Sequence, residues 1–443
     1  MDQQDRISRR RVLKTAAAVG AFTIVPRHVL GQGQVPPSQK LNVAAVGIGG
    51  MGGGDVRSIG QTENIVALCD VDQRHAAEAL KAFPNAKVHL DFRKMLETQK
   101  DIDAVIVATP DHLHAVVTMM ALKLGKHVYC EKPLTHSVYE ARMIGKAARE
   151  AKVATQMGNQ GQASAGARVV REMVMDGAIG TLREIHAWSN RNPDISERGM
   201  ARPKDTPPVP SSLNWDLWLG PARERPYHPT YLPFRWRSWW DFGTGVLGDI
   251  GCHELSTAFK MLKLGHPKSV EACSTNWQRP KEISEETAPL ASMTRYKFAA
   301  TADHGPIDIV WYDGGMRPER PEELEPDKPF GVNDGIMYVG DKGKILGHRL
   351  IPDKRMADYG KPPEKLPRSP GHYQEWTSAC KGGPAAGANF ADHAAHLAEV
   401  VLLGNIAIRM NAKLDWDGEK MEFTNNKEAN ALVNPPYRAG WSL

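Results

Sequence analysis

Three side chains in this sequence are of types that hold oxygens and move protons: Lys132, Asp249 and His253. Oxidising an alcohol requires a group to stabilise the developing alkoxide and a base to take the hydroxyl proton while a hydride leaves. Lys132 follows the apolar run HVYCEKP, at the carboxyl end of an expected strand, where ligands of open α/β sheets collect. Its ammonium could hold a substrate hydroxyl there. Asp249 and His253 are four residues apart, so a helix puts both on one face and lets the carboxylate orient the imidazole or raise its pKa. The stretch GTGVLGDIGCHELSTAFKML predicts that helix, amphipathic and starting near Gly248. Local sequence also permits plainer roles, a surface pair of Lys132 with Glu131 and a helix cap or surface ion pair for Asp249 and His253. A metal on Asp249, His253 and Glu254 would lack further ligands at a recognisable spacing, and none is expected.

Chemistry of this kind needs a hydride acceptor, and the sequence contains a candidate cradle for one. LNVAAVGIG is an apolar run ending in glycines, and GIGGMG places Gly47, Gly49 and Gly52 as G-x-G-x-x-G, with Gly50 and Met51 between them. Glycines there permit a tight turn, close approach to a pyrophosphate and close helix–strand packing, while the helix start offers free N–H groups. Asp70 closes the next expected strand about 20 residues on, where an acid binds adenosine ribose hydroxyls. A carboxylate there favours NAD and disfavours NADP by repelling a 2′-phosphate, although Arg74, one turn onward, could reach such a phosphate.

Around these residues, ENIVALCD, DAVIVATP and HVYCEKP read as further strands, alternating with helical stretches such as HLHAVVTMMALKLG. That alternation predicts a parallel sheet with crossover helices over residues 40–157. After KVATQMGN it gives way to longer amphipathic strands: TLREIHAWS, KSVEACSTNW, SMTRYKFA, PIDIVWYD and GIMYVGDKGKILG. Residues 158–443 are therefore expected to form an α+β substrate and oligomerisation domain with a large open, mainly antiparallel sheet, covered by helices such as HAAHLAEVVLLGNIAIRM. YHPTYLPFRWRSWWD concentrates aromatics and arginines; Tyr231, Arg235, Trp236 and Trp240 could line a carbohydrate platform, or the tryptophans could simply pack the loop or a neighbouring subunit.

In order along the chain, the glycine turn, ATPDHLHA (108–115), EKP (131–133) and GDIGCH (248–253) resemble the glucose-fructose oxidoreductase / inositol dehydrogenase family, Gfo/Idh/MocA, over nearly the whole mature chain. The resemblance implies a Rossmann domain followed by an α/β domain with an open antiparallel sheet, and oxidation or reduction of hydroxyls of sugars and cyclitols. It implies that Thr109, Pro110, His112 and His114 help bind the cofactor, that Glu131 orients Lys132, that His253 is the acid/base, and that Asn159 and Gln160 lie near the nicotinamide. A local reading makes NQGQAS a hinge loop. Where many relatives carry an Asp three residues after the histidine, this chain has Ser256. Relatives commonly pair open sheets, so a homodimer or homotetramer is expected.

The first residues carry SRRRVLK and then TAAAVGAFTIV, a charged start and short apolar run that read as a removable signal over 1–31, of the twin-arginine type, followed by a linker at 32–39. That predicts export to the periplasm, with no integral membrane domain after removal. The net charge of +5 is concentrated there: six basic residues against Asp2 and Asp5 leave only +1 for the rest, which excludes a nucleic-acid binder. The five cysteines are widely spaced, form no disulfide framework and read as buried small hydrophobes. Three functions fit: an exported NAD(P)-dependent oxidoreductase acting on a hydroxyl of a sugar, glycoside or cyclitol with tightly held cofactor; a redox-neutral NAD-dependent glycosidase; and a nucleotide- or sugar-binding protein without catalysis.

Overall fold

Apolar β-rich runs dominate the first half, and in the computed structural model they are buried on both faces, as parallel strands between helix layers must be. Residues 39–191 and 198–443 are described; the expected signal and all of the linker but Gln39 lie outside the described residues. Six strands, β1 (Asn42–Val46), β2 (Asn64–Cys69), β3 (Lys87–His89), β4 (Ala104–Val107), β5 (His127–Glu131) and β6 (Thr155–Gly158), form one sheet in the order β3-β2-β1-β4-β5-β6. Every pairing is parallel. The order reverses between β1 and β4, which opens a crevice at the strands' carboxyl ends.

The second sheet has nine strands in the order β13-β12-β11-β7-β10-β9-β8-β14-β15. They are β7 (Leu182–Ser189), β8 (Ser269–Ser274), β9 (Ser292–Phe298), β10 (Ile307–Asp313), β11 (Gly335–Gly340), β12 (Lys344–Leu346), β13 (Arg349–Ile351), β14 (Lys413–Asp417) and β15 (Glu422–Phe423). All pairs are antiparallel except β7 with β10. In β9 the side chains of Ser292, Thr294, Tyr296 and Phe298 are buried while the residues between them reach toward solvent, the period-2 pattern of a half-covered strand. The buried face meets the helix Ala395–Met410.

Two expectations need correction. The segment carrying Asp249 and His253 is not one amphipathic helix from Gly248: it is a helix Gly245–Glu254 followed by a second, Ser256–Leu262. Gly245 to Cys252 are buried all round, because the helix runs between the second sheet and the helix Ala395–Met410. Cys273 is exposed, while Cys69, Cys130 and Cys252 are buried.

Candidate functional site

A cavity of about 490 Å³ lies over the crevice of the parallel sheet, running from the glycine turn to Lys132 and His253. At its first end, Gly47 has φ of +79° and sits so close to the β4 exit that a Cβ would lie 2.7 Å from the Ala108 carbonyl and the Thr109 nitrogen. A Cβ on Gly49 would strike the His75 ring at 2.0 Å, and one on Gly52 the Gly47 oxygen at 1.9 Å. Gly47, Gly49, Gly50 and Met51 line the cavity, whereas Gly52 packs the helix Gly50–Ile59 against the turn. That helix points its unpaired first amides at the crevice, a fit for a pyrophosphate.

Asp70 stands at the end of β2 and lines the cavity; its carboxylate accepts the Ile48 amide at 2.8 Å and the Asp72 amide at 2.9 Å. Burial raises its pKa against those bonds. Arg74 is exposed and lies off the cavity, since the Asp72 cap turns that helix so that His75 faces inward instead. The expected phosphate contact from Arg74 is therefore not brought to the crevice.

At the other end, Lys132 pairs with the Asp249 carboxylate, which also has Arg191 Nε at 3.3 Å and Arg237 Nε at 3.5 Å. Burial works to raise the Asp249 pKa, but Lys132, Arg237 and Arg191 outweigh it and hold the carboxyl well below the usual range. Lys132, Arg191, Arg237 and His253 line the cavity; Asp249 lies behind them. The Asp249 oxygens face three cations and make no hydrogen bond to His253, so of the two expected effects on the imidazole, orienting it or raising its pKa, the first is not seen here and the second acts through charge. His253 makes no hydrogen bond to another described residue. Burial and the Lys132 charge bring its pKa down to about 4 against the opposing pull of Asp249, so the imidazole is neutral at neutral pH.

Glu131 accepts from the Tyr129 hydroxyl at 3.2 Å and the Gln160 amide at 3.1 Å, and burial raises its pKa while Lys132 opposes. Thr109, Pro110, His114, Glu131 and Gln160 line the cavity. The His114 ring bridges the carbonyls of Pro133 and Thr109, both at 2.7 Å, and so fixes the turn beside Lys132.

Several candidates point elsewhere. The His112 nitrogens are held by the Phe242 and Trp218 carbonyls, and burial lowers its pKa to about 3, so it is a buried brace. Asn159 is fully buried and donates to Ser256 Oγ at 2.9 Å, which in turn meets His393; the Ser256 position therefore belongs to a packing knot outside the cavity. Tyr231 is buried in an aromatic cluster with Trp215, Trp239 and Phe242, Arg235 lies outside the cavity, and Trp240 faces a different cavity with its Nε1 on the Ser284 carbonyl. Of the platform residues only Trp236 lines the site. Arg237 took the place expected of Arg235, because the four-residue turn Arg235–Ser238 sends neighbours to different sides. Arg191, just past β7, gave no sequence signal.

Away from this site His266, His396 and Glu399 come within 4.8 Å of one another. Arg142 already grips both Glu399 oxygens, at 2.8 and 2.7 Å, and His396 meets backbone carbonyls, which reads as an ion-pair network rather than a cation site.

Residues 41–159 match the family described as "Oxidoreductase family, NAD-binding Rossmann fold", and residues 186–284 and 338–443 match its C-terminal α/β domain. The 2,7-anhydro-N-acetylneuraminate hydratase of Escherichia coli (strain K12) is 28% identical over 164 residues, 36% of this chain and 44% of that protein. Inositol 2-dehydrogenase of Rubrobacter xylanophilus is 32% identical over 162 residues, 36% of this chain and 46% of that protein. The chain thus spans about half the length of the curated relatives it matches. The WlbA dehydrogenase from Bordetella pertussis, solved with NADH and UDP-GlcNAcA, shares the fold with a TM-score of 0.57 at 17% identity, over 85% of this chain and 99% of that one.

Proposed function

The chain belongs to the Gfo/Idh/MocA oxidoreductase family, and from that premise we propose that it is an exported, NAD-dependent oxidoreductase that acts on a hydroxyl of a sugar, glycoside or cyclitol and keeps its cofactor tightly bound. The observation that supports this reading is a single cavity joining the glycine turn and Asp70 to Lys132 and His253. Lys132 holds the substrate oxygen with ammonium hydrogens not used on Asp249, and its charge stabilises the oxygen as the proton leaves. Neutral His253 would take that proton, while NAD held along Gly47, Gly49, Gly50 and Asp70 would supply the acceptor for the hydride that leaves the carbon as the carbonyl closes. Asp249 holds Lys132 in place. Export rests on SRRRVLK and the apolar run after it, and a periplasm poor in free nucleotide favours a cofactor loaded before export.

Denaturing the freshly purified protein should release NAD or NADH, and sugars, glycosides and cyclitols screened on the holoprotein should change absorbance at the nicotinamide band. Protein that releases no nucleotide and fails to bind added NAD contradicts the reading. The hydratase relative favours a second reading, transient oxidation, elimination and return of the hydride. Glycoside cleavage without net NADH would select it.

A further inference from the structure

Among the described residues, three cations at the chemistry end of the cavity share one paired carboxylate. Lys132, Arg191 and Arg237 converge on one carboxylate, Asp249, which is 7% exposed. The other described acids on the cavity wall form no ion pair with any of the three. Asp70, Asp72 and Asp91 belong to the β2 and β3 side of the sheet; β2 is three strand spacings from β5, about 14 Å away. Nearer by, Asp111 is buried, accepts the Thr244 hydroxyl at 2.7 Å, and is pushed by burial to a pKa of about 7. Glu131 is pushed upward by burial as well. Burial lowers the pKa of both His253 and His114 to about 4.

The two arginines are also built to receive a ligand. Arg237 is stacked at 3.8 Å over Phe234 and 4.4 Å over Trp236, which fixes the plane of its guanidinium, and its buried Nε has no hydrogen-bond partner. The Arg191 guanidinium makes no hydrogen bond to another described residue; it stands off Asp249 at 3.3 Å and is 30% exposed. Two guanidiniums that share one carboxylate with Lys132 attract a further anion, and their fork geometry matches a carboxylate or phosphate.

We propose that the substrate is an anionic sugar, whose carboxylate or phosphate group is bracketed by Arg191 and Arg237 while its reacting hydroxyl lies between Lys132 and His253. This rests on the oxidoreductase reading of the same cavity. Asp249 then serves as an anchor that holds three cations apart at fixed positions, so that the substrate's charge completes a network the protein leaves open.

Matched ligands test this on the NADH-loaded full chain, with affinity read from the fluorescence of the bound nicotinamide: glucose, glucuronate and glucose 6-phosphate, and galactose with galacturonate. At least one anion should bind tenfold or more tighter than its neutral partner, the ratio should shrink with added salt, and Arg191→Gln should reduce it at least fivefold. Whether glucuronate or the phosphate ester shows the larger ratio identifies the anion. Neutral sugars binding as tightly as their anions in every pair, or a ratio unchanged in both Arg191→Gln and Arg237→Gln, overturns the proposal. A protein that takes up no NADH instead defeats the oxidoreductase reading, so the two failures are distinct.

Discussion

His253 is the side chain whose environment most directly predicts behaviour. Burial and the neighbouring ammonium of Lys132 depress its pKa to about 4, so the basic form is populated through the whole neutral range. If it takes the hydroxyl proton, kcat/KM is flat from neutral pH downward and falls only as pH drops through about 4, where the imidazole becomes charged and can accept nothing. His253→Ala should lower turnover by roughly 10²- to 10⁴-fold, the usual contribution of a positioned base, while nucleotide content stays at the wild-type level. A pH–rate limb near the ordinary imidazole value of about 6.5, or turnover within about twofold of wild type in the variant, removes His253 from that role. Residue types were readable from the sequence here; residue orientations were not. The glycine turn, Asp70, Lys132 and His253 share one cavity because strand ends and a helix fix them, whereas in the loop from Tyr227 to Asp241 a shift of one or two residues decides between cavity and core, and Trp236 and Arg237 entered where Arg235 and Trp240 were equally eligible.

At the scale of elements, the helix Gly50–Ile59 offers a controlled comparison between two glycines. A Cβ at Gly52 would lie 1.9 Å from the Gly47 carbonyl and 2.9 Å from Ala108 Cβ, both rigid neighbours, so Gly52→Ala must push the helix off the turn. Overpacking of that kind costs about 1–3 kcal/mol, and the same displacement draws the amides away from the pyrophosphate. Gly54→Ala meets nothing within 4 Å and should stabilise the protein by up to about 1 kcal/mol through helix propensity. Thermal melts together with nucleotide released on denaturation should therefore separate the two: lower Tm and loss of nucleotide for the first, equal or higher Tm and full nucleotide for the second. Similar retention of nucleotide in both would mean that the turn tolerates the displacement. Strands β1, β2, β4 and β5, only four to six residues each, were legible because a doubly covered sheet leaves a continuous hydrophobic run. Strands β13 to β15 were not, because in a sheet covered on one face they lack a continuous apolar run and have two to five residues each, too few for alternation to stand out. The helix Gly245–Glu254 departs from the expected amphipathic pattern because its glycines let neighbouring elements close on every side.

Across Leu41–Leu443, which form one compact unit, the later sequence completes the nucleotide-binding sheet. Trp376, fully buried, belongs to the hydrophobic cluster of Val43, Ala45, Ile106 and Tyr129, beneath the parallel strands. The edge of β6 is likewise covered from the far end of the chain: the Met157 amide bonds the Ala388 carbonyl, and the Ala388 amide returns to Gln156 Oε1. Tyr373 donates to Asp55 at 2.7 Å and Lys381 pairs with Glu63 at 2.6 Å, on the helix Gly50–Ile59 and just after it. A sheet that borrows its core and its edge from residues more than two hundred positions away has no reason to unfold separately from them. The holoprotein should therefore lose far-UV helicity and bound-nucleotide fluorescence in one coincident transition. Trp376→Ala should lower stability by about 3–5 kcal/mol and loosen the nucleotide, although Trp376 is absent from the cavity wall. Two separated transitions, or a Trp376→Ala protein with reduced stability and unchanged nucleotide affinity, would show that the parallel sheet holds its ligand independently of the chain that covers it.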